Sequence, residues 1–297
     1  MKNNEMIEFP CPVCNTNDFK IKYPDTIGEK TTSFDYNYTA NYNLTYRIVE
    51  CNHCSHNYAS PRPSDMWSSY SGDNVDQLYL SNQKQRIATN REVIKYITKY
   101  KKGGKLLDVG CATGDFLMVA KDYFDVEGLE LSEWSSKIAK ADGFKIHHKL
   151  LNQMGEKEEY DVVTLWGVIE HFEFPKTEIE NISKILKKGG HVSLWTGDVS
   201  SVMANLLGKK WWYYQGQHIQ MFTKKSICEL FNSCGYKTVY YGRYPYIATM
   251  ESLNNSISRY PFISRLISPI IKSKLFSRFR LKLKLSGEIF AIFEKTN

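Results

Sequence analysis

The 297-residue sequence predicts an α/β fold, a doubly wound and mostly parallel sheet with a small N-terminal metal-binding module. Three observations support this prediction. Two Cys-x-x-Cys pairs lie near the start, a glycine-containing loop follows an apolar strand, and apolar runs then alternate with helical patterns. Strands covered by helices on both faces are continuously apolar, as these runs are.

The first 62 residues hold two cysteine pairs of metal-ligand spacing, Cys11-Pro-Val-Cys14 and Cys51-Asn-His-Cys54. Two such pairs can close a tetrahedral thiolate site around a structural zinc ion. His53 and His56 could replace a cysteine, but four thiolates are the simpler set. The predicted Zn²⁺ ligands are Cys11, Cys14, Cys51 and Cys54.

The segment between the pairs is rich in aromatic and β-branched residues from Phe34 to Val49, which predicts antiparallel strands. A nucleic-acid stacking platform is the alternative interpretation of these aromatics. Pro61 and Pro63 then predict an extended connector that ends the ribbon, residues 1–62. Residues 63–104 are predicted to form a helical connector and pocket cover, with a short helix from Ser64 to Tyr70 and a longer one from Gln77 to Lys102.

A candidate cofactor loop follows in the stretch Leu106-Leu-Asp-Val-Gly-Cys-Ala-Thr-Gly-Asp-Phe-Leu117. A short apolar run ends at Asp108, and the chain turns through Gly110 and Gly114 into a helical pattern. The glycines allow a tight turn against a bound ligand. No Gly-Lys-Ser/Thr follows, so the loop is not a P-loop.

From Lys105 onward, strand-like and helical segments alternate, which predicts a parallel sheet with its ligand site at the carboxyl ends of the strands. The predicted strands are Lys105–Val109, Phe124–Leu129, Tyr160–Trp166 and His191–Trp195. The predicted helices are Asp115–Tyr123, Ser132–Ala141 and Thr177–Lys187, the last with Gly189 and Gly190 as its C-cap. Glu130, just after the second strand, is placed to accept both hydroxyl protons of a ribose.

The loop resembles the first motif of the class I S-adenosylmethionine-dependent methyltransferases, Asp-x-Gly-x-x-x-Gly, at Asp108, Gly110 and Gly114. The resemblance implies a seven-stranded Rossmann-like domain over residues 105–297. It also implies S-adenosyl-L-methionine as the cofactor. The implied cofactor-binding residues are Asp108, Gly110, Cys111, Ala112, Gly114, Glu130, Leu131, Leu151, Trp166 and Gly167, with Leu150 and Asn152 as further candidates beside the adenine.

The segment from Tyr160 to Phe172 resembles the fourth motif of this family, a buried strand followed by a Glu-His pair. Trp166 and Gly167 are expected beside the methionine part of the cofactor. Glu170 and His171 allow a metal, an acid/base or a pocket-shaping interpretation. Similar ubiquinone-type O-methyltransferases carry an extra acid where this chain has Val168, so the pocket-shaping role is favoured over a bound ion, and His171 is kept as a candidate catalytic residue.

The segment Trp211–Thr223 is the predicted substrate side. Its four consecutive aromatics predict either a sugar-stacking wall or a patch that packs on the sheet. His218 matches the His-x-x-x-Phe signature of a branch that joins an N-terminal zinc ribbon to this domain and includes nucleotide-sugar C-methyltransferases. That branch has a glutamate where this chain has Gln217, which disfavours carbon methylation. The resemblance implies His218 as the base and Tyr70 as a substrate-pocket residue.

The C-terminal part is predicted to complete the sheet with strands at Tyr236–Arg243 and Glu288–Lys295. Between them lies a basic insert, residues 252–287, with eight Lys or Arg and no acid. Apolar residues from Phe262 to Ile271 share one helical face, and Arg280–Leu285 alternates like a strand. Peripheral contact of residues 259–284 with an anionic membrane is one interpretation, and a lid helix packed on the core is the other.

The net charge of +7 falls to about −1 outside this insert, which disfavours a nucleic-acid enzyme. The polar start and the lack of a long apolar run predict a cytoplasmic protein, with contact at the inner membrane face as an option. The resemblance implies methyl transfer to a hydroxyl or amine of a small molecule, a sugar or nucleotide-linked sugar. RNA methylation, sugar C-methylation and a non-catalytic binding module are the alternatives.

Overall fold

The computed structural model describes residues 5–27, 44–64, 75–257, 261–271, 280–284 and 286–296. The N-terminal part contains five short strands, β1 (Met6–Ile7), β2 (Phe19–Tyr23), β3 (Ile48–Cys51), β4 (Asn57–Ala59) and β5 (Arg62–Pro63). Two helices follow, α1 (Gln77–Ser81) and α2 (Gln83–Tyr100). Residues 65–70 of the short helix predicted at Ser64–Tyr70, Tyr70 included, lie outside the described residues.

The alternating part begins with the strand that precedes the cofactor loop. Its elements are β6 (Lys105–Val109), α3 (Leu117–Ala120), β7 (Asp125–Leu129), α4 (Glu133–Ala141), β8 (Lys145–His147), β9 (Tyr160–Trp166), α5 (Pro175–Ile185) and β10 (Leu186–Gly197). The remaining elements are α6 (Val202–Leu207), β11 (Gln220–Met221), α7 (Lys224–Ser233), β12 (Tyr236–Gly242), β13 (Tyr246–Thr249), α8 (Met250–Ile257), α9 (Pro261–Ile271), β14 (Arg280–Leu283) and β15 (Glu288–Lys295).

The central sheet has seven strands within the described residues, in the order β12-β15-β10-β9-β6-β7-β8. Five neighbouring strands, β10, β9, β6, β7 and β8, are parallel to one another. β15 is antiparallel to both of its neighbours, β10 and β12. This arrangement confirms the predicted mostly parallel, seven-stranded α/β fold. The chain order reverses at β6, so the crevice at the carboxyl ends of β6 and β9 is the expected ligand site.

Three predicted helices differ from the structure, and the one after the cofactor loop is shorter than predicted, Leu117–Ala120 instead of Asp115–Tyr123. Gly189 and Gly190 do not cap α5, because Leu186 is already extended and pairs with Tyr160 in the sheet. Gly189, with φ of 70°, instead lies where the β10–β9 register shifts between Leu186 and His191. The long helix predicted from Gln77 is interrupted at Asn82, whose side-chain amide donates to the Leu78 carbonyl at 2.9 Å.

The N-terminal module joins the methyltransferase-like part through a shared sheet of order β11-β4-β3-β2. β11 belongs to the segment after β10, and Gln220 pairs with Tyr58 of β4. The buried Arg62 guanidinium also donates to the Glu173 carbonyl at 2.9 Å. These contacts place the module against the loops at the carboxyl ends of β9 and β10.

Helix α9 presents its apolar residues to solvent. Phe262 is 83% exposed, Leu266 65% and Ile270 59%, whereas Ile271 is buried. A lid helix would bury this face, so the lid interpretation does not account for these three side chains. Within the described residues, no helix is long and apolar enough to cross a bilayer.

Candidate active site at the carboxyl edge of the sheet

The loop after β6 is held in a backbone conformation that favours glycine. Gly110 has φ of 68° and Gly114 of 81°, and the intervening Ala112 has φ of 46°. A Cβ at Gly110 would lie 2.6 Å from Val168 Cγ2, so a side chain does not fit there. Ala112 keeps a conformation that costs about 1 kcal/mol for a non-glycine residue, a kind of strain that clusters at ligand sites.

Glu130 ties this loop to the end of β7. Its Oε2 accepts the Ala112 N–H at 2.8 Å and its Oε1 accepts the Ser132 N–H at 2.7 Å. Each carboxylate oxygen has two lone pairs, so each can also accept one ribose hydroxyl. The structure therefore gives Glu130 the position and the acceptor capacity that its predicted role requires.

Asp108 is buried at the end of β6 and accepts the Thr164 hydroxyl at 2.6 Å. Burial raises its pKa to about 8, and the carboxylates of Glu130 and Asp115 add to the rise. Asp115 is paired with the Arg86 guanidinium at 2.6 Å. Three carboxylates against one guanidinium make an edge that suits a ligand with positive charges, such as the ammonium and sulfonium groups of S-adenosylmethionine.

Trp166 and Gly167 continue the edge at the end of β9. The Trp166 indole nitrogen is buried and has no hydrogen-bond partner among the described residues, so it is free to bind a ligand. Gly167 has φ of 69°, and a Cβ there would lie 2.9 Å from Trp195 Cζ3. The two predicted residues thus border Trp195 of the neighbouring strand.

The remaining predicted cofactor residues contribute differently. Cys111 packs its side chain with Leu117 and Ile146 in an apolar cluster below the loop, so only its backbone can face a ligand. Leu151 is buried in the main core, and Leu131 is half-buried beside Glu130. Their contacts with a cofactor stay predictions.

The predicted catalytic histidines, His171 and His218, lie side by side with ring centroids 4.9 Å apart. His171 Nδ1–H donates to the Gln217 carbonyl at 2.9 Å, and His218 Nδ1–H donates to the Tyr213 carbonyl at 2.7 Å. Each bond assigns the proton to Nδ1 and leaves Nε2 as the basic nitrogen of a neutral ring. Burial lowers the pKa of His171 to about 4 and that of His218 well below its usual range.

Glu170 completes a buried polar cluster with this pair. Its Oε2 accepts the Thr196 hydroxyl at 3.0 Å, and that hydroxyl also contacts the Tyr213 hydroxyl at 2.5 Å. Burial raises the pKa of Glu170 to about 7. One ligand atom each from Glu170, His171 and His218 lies within 4.8 Å of the others, so these residues could also hold a divalent cation.

A profile of the methyltransferase domain family matches residues 79–241, which is 163 of the 297 residues. The chain belongs to this family. Its family is that of the methyltransferase domains. The matched range begins in α1 and ends in β12, and it includes Asp108, Glu130 and both histidines.

Sequence relatives and solved structures agree with the family. A ubiquinone biosynthesis O-methyltransferase of Aliivibrio fischeri is 35% identical over 99 residues, which cover 30% of this chain and 42% of that protein. An uncharacterised protein of Methanocaldococcus jannaschii is 27% identical over 46% of this chain and 66% of its own length. A methyltransferase structure from Archaeoglobus fulgidus has a TM-score of 0.52 at 18% identity and covers 74% of this chain and 100% of that one, a likeness of fold.

The structure brings the four predicted zinc ligands together. Cys11 Sγ lies 3.4 Å from Cys54 Sγ, Cys14 Sγ lies 3.5 Å from Cys51 Sγ, and all four sulfurs are within 4.8 Å of one another. These distances exceed a disulfide bond and are close to the ~3.8 Å edge of a tetrahedron with 2.3 Å Zn–S bonds.

The two neighbouring histidines take no part in this cluster. His56 Nε2 contacts Gln220 Oε1 at 2.9 Å, and His53 contacts Asp18. The simpler prediction of four thiolates is therefore the one that the geometry favours.

Three of the four consecutive aromatics of the methyltransferase, Trp211, Tyr213 and Tyr214, are buried in a cluster between the module and the sheet. A Cβ at Gly197 would lie 2.6 Å from the Tyr213 ring, which shows how closely this segment packs on the end of β10. Packing on the sheet, rather than a stacking wall, is what these three side chains do.

Sequence reasoning missed Glu288, Trp195 and Tyr244, which lie together at the ends of β10 and β15. The Trp195 and Tyr244 rings are 5.1 Å apart, and Glu288 is opposite Gly197 in the sheet register. The signal for Glu288 was present, because it is an acid at the start of the otherwise apolar run Ile289-Phe-Ala-Ile-Phe293.

Proposed function

We propose that this methyltransferase transfers the methyl group of S-adenosylmethionine to a hydroxyl or amino group of a sugar or nucleotide-linked sugar. The pair of neutral, buried histidines after β9 and before β11 is the observation that carries the proposal. The two histidines offer basic ring nitrogens at the same edge of the sheet as the cofactor loop.

S-adenosylmethionine supplies an electrophilic methyl group, so the residues of the chain mainly position the acceptor and exclude water. In the proposal, His218 Nε2 accepts the proton of an acceptor hydroxyl. The bond from His218 Nδ1–H to the Tyr213 carbonyl holds the ring in the tautomer that this step requires. His171 packs edge-on against His218 and limits its rotation.

Several features support a small polar acceptor. Beside the histidines lie buried amides and hydroxyls that can bind a polyhydroxylated ring, namely those of Thr196, Gln215 and Gln217. The Gln217 amide oxygen has no hydrogen-bond partner among the described residues. Gln217 cannot act as a base, and the relatives named as O-methyltransferases add support for an oxygen acceptor over carbon.

The RNA alternative finds no comparable support. Lys20 and Lys22 of the ribbon both pair with Glu50, at 3.0 and 3.1 Å, and Arg47 pairs with Glu8. These charges are compensated within the module, which leaves fewer of them for phosphates.

The acceptor is identified by incubating the protein with labelled S-adenosylmethionine and pools of nucleotide sugars, followed by mass spectrometry for a gain of one methyl group. We expect a methylated nucleotide sugar with the wild type and none with His218→Asn. Methylation of RNA but of no nucleotide sugar would contradict the proposal.

We also propose that the cysteine cluster binds one structural zinc ion. This ion would stabilise the N-terminal module, whose strand β4 pairs with β11. Metal analysis should find about one zinc per chain in the wild type and none in Cys54→Ser. The matched control, Cys228→Ser, removes a half-buried thiol outside the cluster and should keep the metal. A metal-free wild type with normal stability would refute the site.

We further propose that α9 contacts an anionic membrane surface through its exposed apolar face. Phe262 and Leu266 are the exposed anchors, and no acid lies between residues 252 and 287. In co-sedimentation, vesicles with phosphatidylglycerol should bind the wild type more than neutral vesicles do. Phe262→Glu with Leu266→Glu should lose the binding, whereas Val202→Glu on α6 should keep it, and equal binding by all three proteins would refute the contact.

A further inference from the structure

Besides Asp108 and the Glu170 of the histidine cluster, a further buried carboxyl group lies at the carboxyl edge of the sheet. Glu288 is the first residue of β15, and its backbone is opposite Gly197 at the end of β10. The adjacent Gly287 carbonyl accepts the Asp198 N–H at 2.8 Å, which fixes where the strand begins. Glu288 therefore has a defined position at the same edge as the cofactor loop.

The alternation of β15 shows which face Glu288 shares. Phe290 and Ile292 pack in the cluster that contains Leu106, whereas Ile289 and Phe293 pack on the opposite face. Glu288 alternates with Phe290, and Asp108 alternates with Leu106, so both acids are on one face of the sheet. The histidine cluster is bonded to Thr196, which belongs to the other set of alternating residues.

The aromatic rings of Trp195 and Tyr244 lie near Glu288 and act on its charge. Tyr244 lies 5.1 Å from Trp195 and 6.2 Å from Trp166, measured between ring centroids. Trp195 also borders Gly167, beside which the methionine end of the cofactor is expected. We call Trp166, Trp195, Tyr244 and Glu288 the aromatic-acid cage.

The polar atoms of the aromatic-acid cage are short of partners. Glu288 is only 8% exposed, and its Oε2 has no hydrogen-bond partner among the described residues. The Trp166 indole nitrogen is likewise buried without one, whereas the Trp195 indole N–H lies close enough to Glu288 to favour the ionised form of its carboxyl group. No basic side chain of the described residues pairs with Glu288, and burial raises its pKa to about 8.

A buried carboxyl group without a cation destabilises the fold, so its presence calls for an explanation such as a ligand. Aromatic rings beside a carboxylate are the chemistry that binds an ammonium group. A neutral hydroxyl would use the carboxyl but gain little from the ring faces.

We propose that the aromatic-acid cage binds a protonated amino group of the acceptor, with Glu288 as its counter-charge. This inference rests on the proposed function and narrows its acceptor class to amino sugars and their nucleotide-linked forms. Glu288 then determines acceptor specificity, whereas the cofactor is bound by Asp108 and Glu130.

The test compares glucosamine with glucose, which differ in the amino group, as probes for the protein saturated with S-adenosylhomocysteine. Binding is followed by tryptophan fluorescence at pH 6.5, where glucosamine is protonated. The wild type should bind glucosamine at least ~10-fold more tightly than glucose. Glu288→Gln should lose this preference, and Glu294→Gln, a control on the same strand whose residue pairs with Lys237, should keep it.

Thermal melting separates a binding role from a structural one. Removal of a buried carboxyl group that has no cationic partner should leave the melting temperature of Glu288→Gln equal to or above that of the wild type. Equal affinity of the wild type for both sugars, or a retained preference in Glu288→Gln, would overturn the cage. Methylation of a neutral sugar alone would overturn the cage and leave the proposed function standing. Preferential binding of glucosamine without methylation of any sugar would overturn the proposed function and leave the cage standing.

Discussion

The two halves of the carboxyl edge are built in different ways. The proposed cofactor half, at the ends of β6 and β7, comes from one continuous stretch, residues 106–132, in which the Glu130 carboxylate accepts the Ala112 N–H of the loop. The proposed acceptor half, at the ends of β9, β10 and β15, combines residues as distant in sequence as His171, His218 and Glu288. A local stretch can carry a recognisable motif, and a dispersed one cannot.

The largest effect that would sharpen this comparison is on turnover. His218→Asn should lower the rate of methyl transfer about 10²- to 10⁴-fold, because it removes the proposed base, while the affinity for S-adenosylmethionine stays constant. His53→Asn, which changes an exposed histidine of the module, is the control. The rate is measured with the acceptor found in the nucleotide-sugar screen. A simultaneous loss of cofactor affinity would show that His218 also contributes to cofactor binding and would contradict the separation of the two halves.

The pH dependence of that rate has a definite direction. Burial lowers the pKa of His218 well below its usual range, so the imidazole stays neutral as the pH falls from 7 to 6. The acid limb of the rate profile should therefore lie below pH 6. A limb centred near 6.5 would indicate a solvated histidine instead.

The next largest effect is on cofactor affinity. Asp108→Asn should weaken S-adenosylmethionine binding about 100-fold, since a buried carboxylate that faces a cation is replaced by a neutral amide. The matched control is Asp125→Asn, an exposed aspartate at the opposite end of β7. Calorimetric titration of both variants measures the difference, and equal affinities would break the assignment of the cofactor half.

A smaller effect concerns proton linkage at the same residue. The pKa of Asp108 is raised to about 8 by burial, and a cationic ligand favours the ionised form. Binding should therefore release protons at pH 7 and tighten up to ~10-fold per pH unit between 6 and 8. Titrations in phosphate and in Tris buffer measure the number of protons released per bound ligand. This number should be smaller in Asp108→Asn, because the variant lacks the carboxyl group that releases a proton.

How much the sequence could predict follows from the same contrast. The strands from Lys105 to Trp166, the positive-φ glycines and Glu130 depend on local spacing, and the structure has them where they were predicted. The distribution of cysteines likewise predicted a cluster whose sulfurs lie within 4.8 Å. The cap predicted at Gly189 failed because it depends on tertiary packing, which shifts the strand register there. Tertiary packing also decides between the two interpretations of Trp211 and Tyr213, since both side chains are buried.

Dispersed residues explain the rest of what was missed. Nothing near Glu288 in the sequence relates it to Trp195, because only the antiparallel pairing of β15 with β10 brings the two strand ends together. The exposure of the apolar face of α9 is also a tertiary property, since the same periodicity is typical of a buried lid.

The most direct test of the two-part edge is a parallel titration of S-adenosylmethionine into the wild type, Asp108→Asn, His218→Asn and Glu288→Gln. The wild type and the two acceptor-half variants should bind with the same affinity within about threefold, and Asp108→Asn alone should lose about 100-fold. An acceptor-half variant that loses cofactor binding as strongly as Asp108→Asn would contradict the separation of the two halves.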